Sequence, residues 1–450
     1  MRAFLSLYLS NLFLVGGSGL LTTYLAVLLT RDAVSTGLIG LMTSLYYLGL
    51  LLGARIGYML IANVGHIRTF GASTAIVTAC VACHGMVDNT YFWLLLRLVV
   101  GIAMMCNYMV LESWLNEQAS AEQRGRIFSV YMITSYLGTM LGQWSLSYYP
   151  ELGLEPLLLI CLALAIGVVP LTITRRIHPK PLKPVSVSFF YFFKKAPQAL
   201  MAVFFAGMIS GSFYGLAPVF GQKAGFDAEQ VALYMFVTVL AGFLAQWPMG
   251  VLSDRVARSA LMRGNALFIA IISAFIFVLP VHQIYSFVLT FAFGLGIFTL
   301  YPLSSALANS RVDDEDRVGI ASALLISFGL GAALGSGVLA KVMDMFGYAS
   351  LYGATAILAF IMLIALTLIN TQQDDEEPGE NDYMVSASDV NASPMVSSLD
   401  PRIEEEVAQE QLMVTDEDEM LQELNEEEQQ LEGEWEQLVT SVNKQRDSDG

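Results

Sequence analysis

"NEQASAEQRGRIFSVYMITSYLGTMLG", residues 116–142, falls without a gap on "NSRVDDEDRVGIASALLISFGLGAALG", residues 309–335, when the chain is shifted by 193 positions. Glu122/Glu315, Arg124/Arg317, Ile127/Ile320, Ser129/Ser322, Ile133/Ile326, Leu137/Leu330, Gly138/Gly331, Leu141/Leu334 and Gly142/Gly335 are identical pairs. The same register brings Gly49 onto Gly242, Gly57 onto Gly250, Gly101 onto Gly294 and Tyr108 onto Tyr301. Glycines that keep one register over so long a stretch mark an internal duplication rather than chance.

Composition states what is duplicated. Hydrophobic residues make up 55% of the 450 positions and charged ones 14%, outside the range of an ordinary soluble chain. Twelve apolar stretches of spanning length follow one another, near 4–30, 37–62, 69–87, 91–115, 127–148, 154–174, 199–221, 230–252, 261–281, 284–308, 319–340 and 347–370. Lipid offers no partner to open backbone groups, so each is expected to be a helix. The predicted fold is therefore an all-α membrane protein of twelve transmembrane helices in two six-helix repeats. Six is even, so the copies keep the same orientation and are related by an axis along the membrane normal. The boundaries read as an N-terminal bundle over 1–174, a cytoplasmic linker over 175–198 with Pro179, Pro181 and Pro184, a C-terminal bundle over 199–371, and an acidic tail over 372–450.

The net charge of −17 divides unevenly. The tail holds 25 of the 40 acidic residues and three basic ones, a local charge of −22; the rest holds 20 basic and 15 acidic groups, or +5. With the N-terminus cytoplasmic, the inner loops collect Arg68, Arg124, Arg126, the linker cluster, Arg255, Arg258, Arg263, Arg311 and Arg317, while Arg31, Lys223 and Lys341 stay outside. This asymmetry predicts an inner-membrane protein with both termini cytoplasmic. The first apolar stretch is too long for a signal-peptide core and no small-residue cleavage site follows it, so it is expected to stay in place.

"GVLSDRVARS" at 250–259 resembles the loop signature G-x-L-x-D-R-x-x-R of the major facilitator superfamily, with Gly250, Asp254, Arg255 and Arg258 in place. "RLVVG" resembles its R-x-x-x-G signature and places Arg97 and Gly101; Glu117, seven residues before Arg124-Gly125, resembles its acid-to-RG spacing after helix 4. Around Glu112, "ESWLNE" is similar to the YcaD-like branch. The chain thus resembles a major facilitator superfamily transporter over about residues 1–371. The first-half copy of the loop signature is eroded, with Ile61 and Ala62 at the positions of Asp254 and Arg255. Helix 5 lacks the proline and double glycine of the antiporter signature, so drug or proton antiport is not indicated by motif.

The resemblance implies a secondary active transporter moving a small solute across the inner membrane by alternating access, with protons as a candidate coupling ion. The implied partners are the solute and the lipid bilayer, and the chain is expected to act as a monomer. The alternative is a transporter-like receptor or scaffold that signals through its acidic tail. No catalytic constellation, Walker loop, metal spacing or cofactor motif stands out, so no enzyme, no cofactor and no metal are expected. Cys80 and Cys83 form C-x-x-C inside an apolar stretch, where packing is the expected role.

Three intramembrane charges are the coupling candidates: Glu112, Arg97 and Arg55. At 100° per residue Arg97, Met104, Tyr108 and Glu112 share one face of helix 4. The repeat partners of the two charges, Thr290 and Ser305, are neutral, so the charges belong to one half and not to the shared scaffold. Arg55 is expected to pair with Glu112, since either alone at mid-bilayer costs on the order of 2.5–3.5 kcal/mol. Glu112 is open to three roles: a structural ion pair, a protonatable carrier site, or a ligand for a cationic solute. Asn11, Tyr108, Asn107, Tyr214, Gln246 and Tyr301 are cavity candidates, with Tyr24, Tyr46, Trp247 and Ser327 beside them. Gly250, Asp254, Arg255, Arg258, Glu117, Arg124 and Arg317 are the expected cytoplasmic gate, a charge network able to break and re-form as the halves rock. The glycine ladders Gly49/Gly53/Gly57 and Gly207/Gly211/Gly215 and the pairs Gly138/Gly142 and Gly331/Gly335 are expected to let helices touch closely.

The tail is rich in Asp, Glu, Gln and Ser and buries too little to fold alone, although Leu424, Leu431 and Leu438 at intervals of seven allow a short amphipathic helix within 416–443. Its acidity argues against nucleic acid or anionic lipid and leaves an unidentified protein as its candidate partner. Truncation after residue 371 is expected to leave membrane insertion intact, measured as the yield of membrane-extracted protein beside the full chain; loss of insertion would tie the tail to the fold.

Overall fold

Hydrocarbon leaves each apolar stretch to bond its own backbone, and helices are the result. The computed structural model describes residues 4–118, 124–173, 189–253, 255–281, 283–312 and 316–369, without the side chains of 117, 118, 124, 125, 283, 317 and 318. The helices are α1 (Leu5–Arg31), α2 (Thr36–Val64), α3 (His66–Met86), α4 (Thr90–Gln118), α5 (Arg124–Ser145), α6 (Glu155–Ile173), α7 (Phe189–Lys195), α8 (Pro197–Lys223), α9 (Ala228–Ser253), α10 (Arg258–Val278), α11 (Gln283–Asn309), α12 (Arg317–Phe346) and α13 (Ser350–Leu368). Eleven are long and apolar enough to cross a membrane. The twelfth stretch read from sequence, α5, is a 22-residue helix made more polar by Arg124, Arg126, Thr134, Ser135, Thr139 and Gln143. The expected tail lies outside the described residues, as does most of the expected linker. The linker's last turns form α7, where Asp316 accepts hydrogen bonds from Lys195 Nζ at 2.7 Å and Tyr191 Oη at 2.8 Å and so ties α7 to the start of α12. The lysine's hydrogen bond holds this carboxyl below its usual range, so the tie persists above the ordinary carboxylate pKa and is lost as pH falls through the lowered one.

The sequence repeat reappears as a repeat of helix pairings. The set α2 with α4, α1 with α5, α1 with α6, α3 with α4 and α3 with α6 returns as α9 with α11, α8 with α12, α8 with α13, α10 with α11 and α10 with α13. Glycines set the closest of these contacts. A methyl group on Gly101 would strike the carbonyl oxygen of Tyr46, and one on Gly294 that of Thr238. A methyl on Gly138 would lie 2.7 Å from the Leu12 carbonyl oxygen, and one on Gly331 would strike that of Phe204. Backbones this close gain dispersion and tolerate no side chain between them.

The two halves meet through α2 against α12 and α5 against α9. At the end opposite the start of α1, Asp344 of α12 accepts hydrogen bonds from the first two amides of α2, Thr36 at 3.0 Å and Gly37 at 2.8 Å. Lys223 at the end of α8 donates to Thr36 Oγ1 at 2.6 Å, and Ser44 Oγ donates to the Ala333 carbonyl at 2.6 Å. The rings of Trp144 on α5 and Phe236 on α9 are 5.8 Å apart on the same side. These contacts seal the far end. Toward the end where α1 begins, Arg55, Ile56, Met59 and Leu60 of α2 are exposed, and no atom lies within 4 Å of a methyl built on Gly250. No neighbouring helix comes close to Gly250.

The outer faces are apolar: Leu158, Leu162, Ile357, Phe360 and Leu368 are all exposed, as a lipid-facing surface requires and a water-facing one does not allow. Tyr91, Tyr148 and Tyr285 sit exposed near the sealed end and Trp247 near the other, at the levels where amphipathic rings anchor a bundle. Substituting Gly101→Leu is expected to separate α2 from α4 and destabilise the bundle by about 1–3 kcal/mol or more, whereas Gly250→Leu enters open space. Thermal unfolding in detergent checks this: Gly101→Leu melts lower, and Gly250→Leu melts with the parent.

Candidate functional site

A small cavity lies where the halves join, lined by Ser18, Gly19 and Thr22 of α1, Thr43, Tyr46 and Tyr47 of α2, Thr139 of α5 and Tyr214 of α8. Its walls mix aromatic faces with hydroxyls. Thr22 and Thr43 also line an adjoining recess with Leu25, Ile39, Met42 and Arg97. Both repeats contribute, since Tyr214 belongs to the second.

Arg97 enters from α4 with 2% of its surface exposed. Its guanidinium carbon lies 4.5 Å from the centre of the Tyr46 ring, and Nη2 donates to Thr22 Oγ1 at 3.3 Å. Nη1 is buried with no hydrogen-bond partner. A cation over a ring face in a desolvated site gains up to about 2 kcal/mol, and a guanidinium at mid-membrane costs at least that much. The ring therefore offsets part of the burial and leaves the charge uncompensated.

Glu112, about four-fifths of the way along the same helix, is fully buried and accepts a hydrogen bond from Tyr131 Oη of α5 at 2.9 Å. The expected partnership with Arg55 is not formed. The glycines that seat α2 on α4, Gly49, Gly53 and Gly57, place Arg55 about 200° around the helix from the contact face at 100° per residue. Arg55 is accordingly exposed, and its reading as a buried charge is corrected.

Of the six cavity candidates, the structure brings Tyr214 to the cavity. Asn11 instead joins α1 to α5, donating to Ser135 Oγ at 2.9 Å and Thr134 Oγ1 at 3.1 Å. Asn107 accepts from Thr74 Oγ1 at 3.2 Å and joins α4 to α3. Tyr108 is fully buried on α4, and Tyr301 packs edge-on against Phe328 with centroids 5.5 Å apart. Gln246 bridges the halves from α9, donating to Tyr136 Oη at 2.9 Å and to the Phe298 carbonyl at 3.0 Å. Tyr46 does line the cavity; Tyr24 donates to the Gly153 carbonyl at 2.8 Å, Ser327 to that of Leu200 at 2.8 Å, and Trp247 faces outward. Sequence reading missed Thr22, Thr43, Tyr47 and Thr139, because a threonine aimed into a cavity looks like the many that bond their own helix.

In the expected gate, Arg255 is exposed and Arg258 donates to the Ala306 carbonyl at 3.3 Å within the second half. Asp254 and the side chains of Glu117, Arg124 and Arg317 lie outside the described residues. His66 is the buried first residue of α3, and His84 is buried against Trp93, bonded to the Cys80 carbonyl at 2.7 Å. Among the described residues no group of three His, Cys, Asp or Glu could hold a metal ion, and the four cysteines are free.

Known proteins share this architecture. The model of the Major Facilitator Superfamily matches residues 7–324 and 199–394. An uncharacterized MFS-type transporter, YcaD of Escherichia coli, is 30% identical over 364 residues, covering 79% of this chain and 94% of that protein; the Shigella flexneri protein of that name matches equally. Among solved structures, the nucleoside transporter NupG superposes with a TM-score of 0.69 at 16% identity, over 82% of this chain and 99% of that one. A bacterial homologue of the human lysosomal transporter Spinster, inward-facing and occupied, also gives 0.69, at 14% identity over 84% and 98%. Those two share the fold at identities that carry no substrate. The family model, the YcaD relatives and the duplicated bundle agree: this chain belongs to the Major Facilitator Superfamily of membrane transporters.

Proposed function

We propose that the protein is a secondary active transporter that carries a small solute across the inner membrane by alternating access, through twelve membrane crossings and with both termini cytoplasmic. The observation that carries this reading is the polar cavity at the junction of the two repeats, with hydrogen bonds between the halves at one end and an exposed Arg55 and an open Gly250 toward the other. In the proposed orientation the sealed end is the outer one, so the cavity faces inward. The domain boundaries are those of the two bundles, with the linker between them and the tail beyond. The opposite state closes through the loop charges around Arg255, Arg258 and Arg317, with Asp254, Glu117 and Arg124 as their counterparts.

The proposed coupling site is Glu112 with Tyr131. A carboxylate 0% exposed with a phenol donating to it at 2.9 Å can take up a proton and turn from acceptor to donor without leaving its place. In proteoliposomes Glu112→Gln is expected to flatten the pH dependence of solute flux, while Tyr131→Phe displaces it; an unchanged profile in Glu112→Gln assigns the acid a structural role.

The seal at the outer end is open to its own test. Replacing Asp344 with Ala removes the acceptor for two helix amides and weakens the seal by about 0.5–2 kcal/mol. A cysteine placed at residue 36 is expected to react several-fold faster with an impermeant thiol reagent in Asp344→Ala than in the parent; equal rates would show that the cap does not hold this end. Absence of flux for every solute class, with or without a pH gradient, would favour the receptor reading over the transporter.

A further inference from the structure

The recess that holds Arg97 contains a cation without an anion. Nη1 is buried and unpartnered, Nη2 bonds a neutral hydroxyl, and the nearest aromatic support is a ring face. A guanidinium has five N–H donors, and Arg97, with Nη1 unbonded, is among the residues that line the recess. The described residues lining the two spaces include no second charged side chain. Glu112 is committed to Tyr131 and stands fifteen residues away along α4, about 22 Å at 1.5 Å per residue.

The repeat isolates the feature further. At the position equivalent to Arg97 the second half has Thr290, whose hydroxyl is 2.6 Å from that of Thr238 and closes the same helix pair without a charge. The scaffold therefore packs well with a neutral residue here, and the arginine is an addition on the side that faces the cavity. Because a planar guanidinium fork matches a carboxylate in two parallel hydrogen bonds, and because one cation balances one negative charge, we infer that Arg97 is the anchor for the carboxylate of a small organic monoanion. The anion's body lies against Tyr46, Tyr47 and Tyr214, and Thr22 and Thr43 stand at the neck between recess and cavity. A doubly charged phosphate would leave an excess charge in the same apolar walls, which disfavours it.

This inference rests on the transporter reading for its biological meaning, but binding tests it separately. Purified full-length protein in detergent, in a buffer free of carboxylates, is titrated by thermal shift and calorimetry. The ligands are aliphatic, 2-oxo and aromatic monocarboxylates, the amides of the same acids, phenyl phosphate, and benzylamine. At least one monocarboxylate is expected to bind about tenfold or more tighter than its own amide, a comparison that needs no variant. Arg97→Gln is expected to erase that preference, and Arg97→Lys to keep part of it. Amides binding as well as acids, a preference for phenyl phosphate or benzylamine, carboxylates inert across the panel, or a preference surviving in Arg97→Gln would each overturn the site. Carboxylate binding without flux in proteoliposomes would overturn the transporter reading and leave the site standing, whereas flux of a neutral or cationic solute with carboxylates inert would do the reverse.

Discussion

The contact between α2 and α4 governs both the packing of the first half and the placement of its charges. Its backbones touch because Gly101 leaves room for the carbonyl of Tyr46, and Gly49 and Gly53 leave room for the carbonyls of Leu98 and Ile102. With no side chains between them, neither helix is free to rotate. The same residue whose carbonyl fills the notch, Tyr46, lays its ring against the guanidinium of Arg97, so the close approach also aims the cation. Arg55, on the opposite side of α2, is turned away by the same constraint.

The second half repeats the notch and omits the charge. Gly294 fits against the Thr238 carbonyl as Gly101 fits against that of Tyr46, and the hydroxyl of Thr238 reaches Thr290 where the first half has a ring and an arginine. Two copies of one bundle have thus been given separate work: one keeps a neutral, hydrogen-bonded pair, the other holds a desolvated charge. Burying such a charge stabilises nothing by itself, and its persistence in the membrane interior is the usual mark of a ligand or ion pathway.

The fold was legible in the sequence to a high degree, because membrane helices and internal repeats are written in long-range regularities. Apolar length, glycine register and the offset of 193 residues led to the paired bundles seen in the structure. The site was legible only in part. Arg97 stood out because charge in an apolar stretch is rare, and Glu112 for the same reason. Pairing Glu112 with Arg55 failed because depth along two helices was matched without asking which way each faces, although the glycine ladder already held that answer. Asn11 and Asn107 read as cavity residues since an amide signals a polar need without saying whether a ligand or a neighbouring helix meets it; here Ser135 and Thr74 do. Tyr131, the partner of Glu112, carried no signal among many tyrosines.

The carboxylate of Asp344 belongs to one half and the helix start it covers belongs to the other. Every helix begins with amides that lack partners of their own, and at this end water can supply what the carboxylate withdraws. Losing these bonds would exchange one set of hydrogen bonds for an equivalent hydrated set, with no buried group orphaned. Gln246 and Tyr136, deeper in the bundle, have less water to turn to. The hydrogen bonds between the halves thus differ in kind: one set lies where solvent can take its place, the other where solvent has little access.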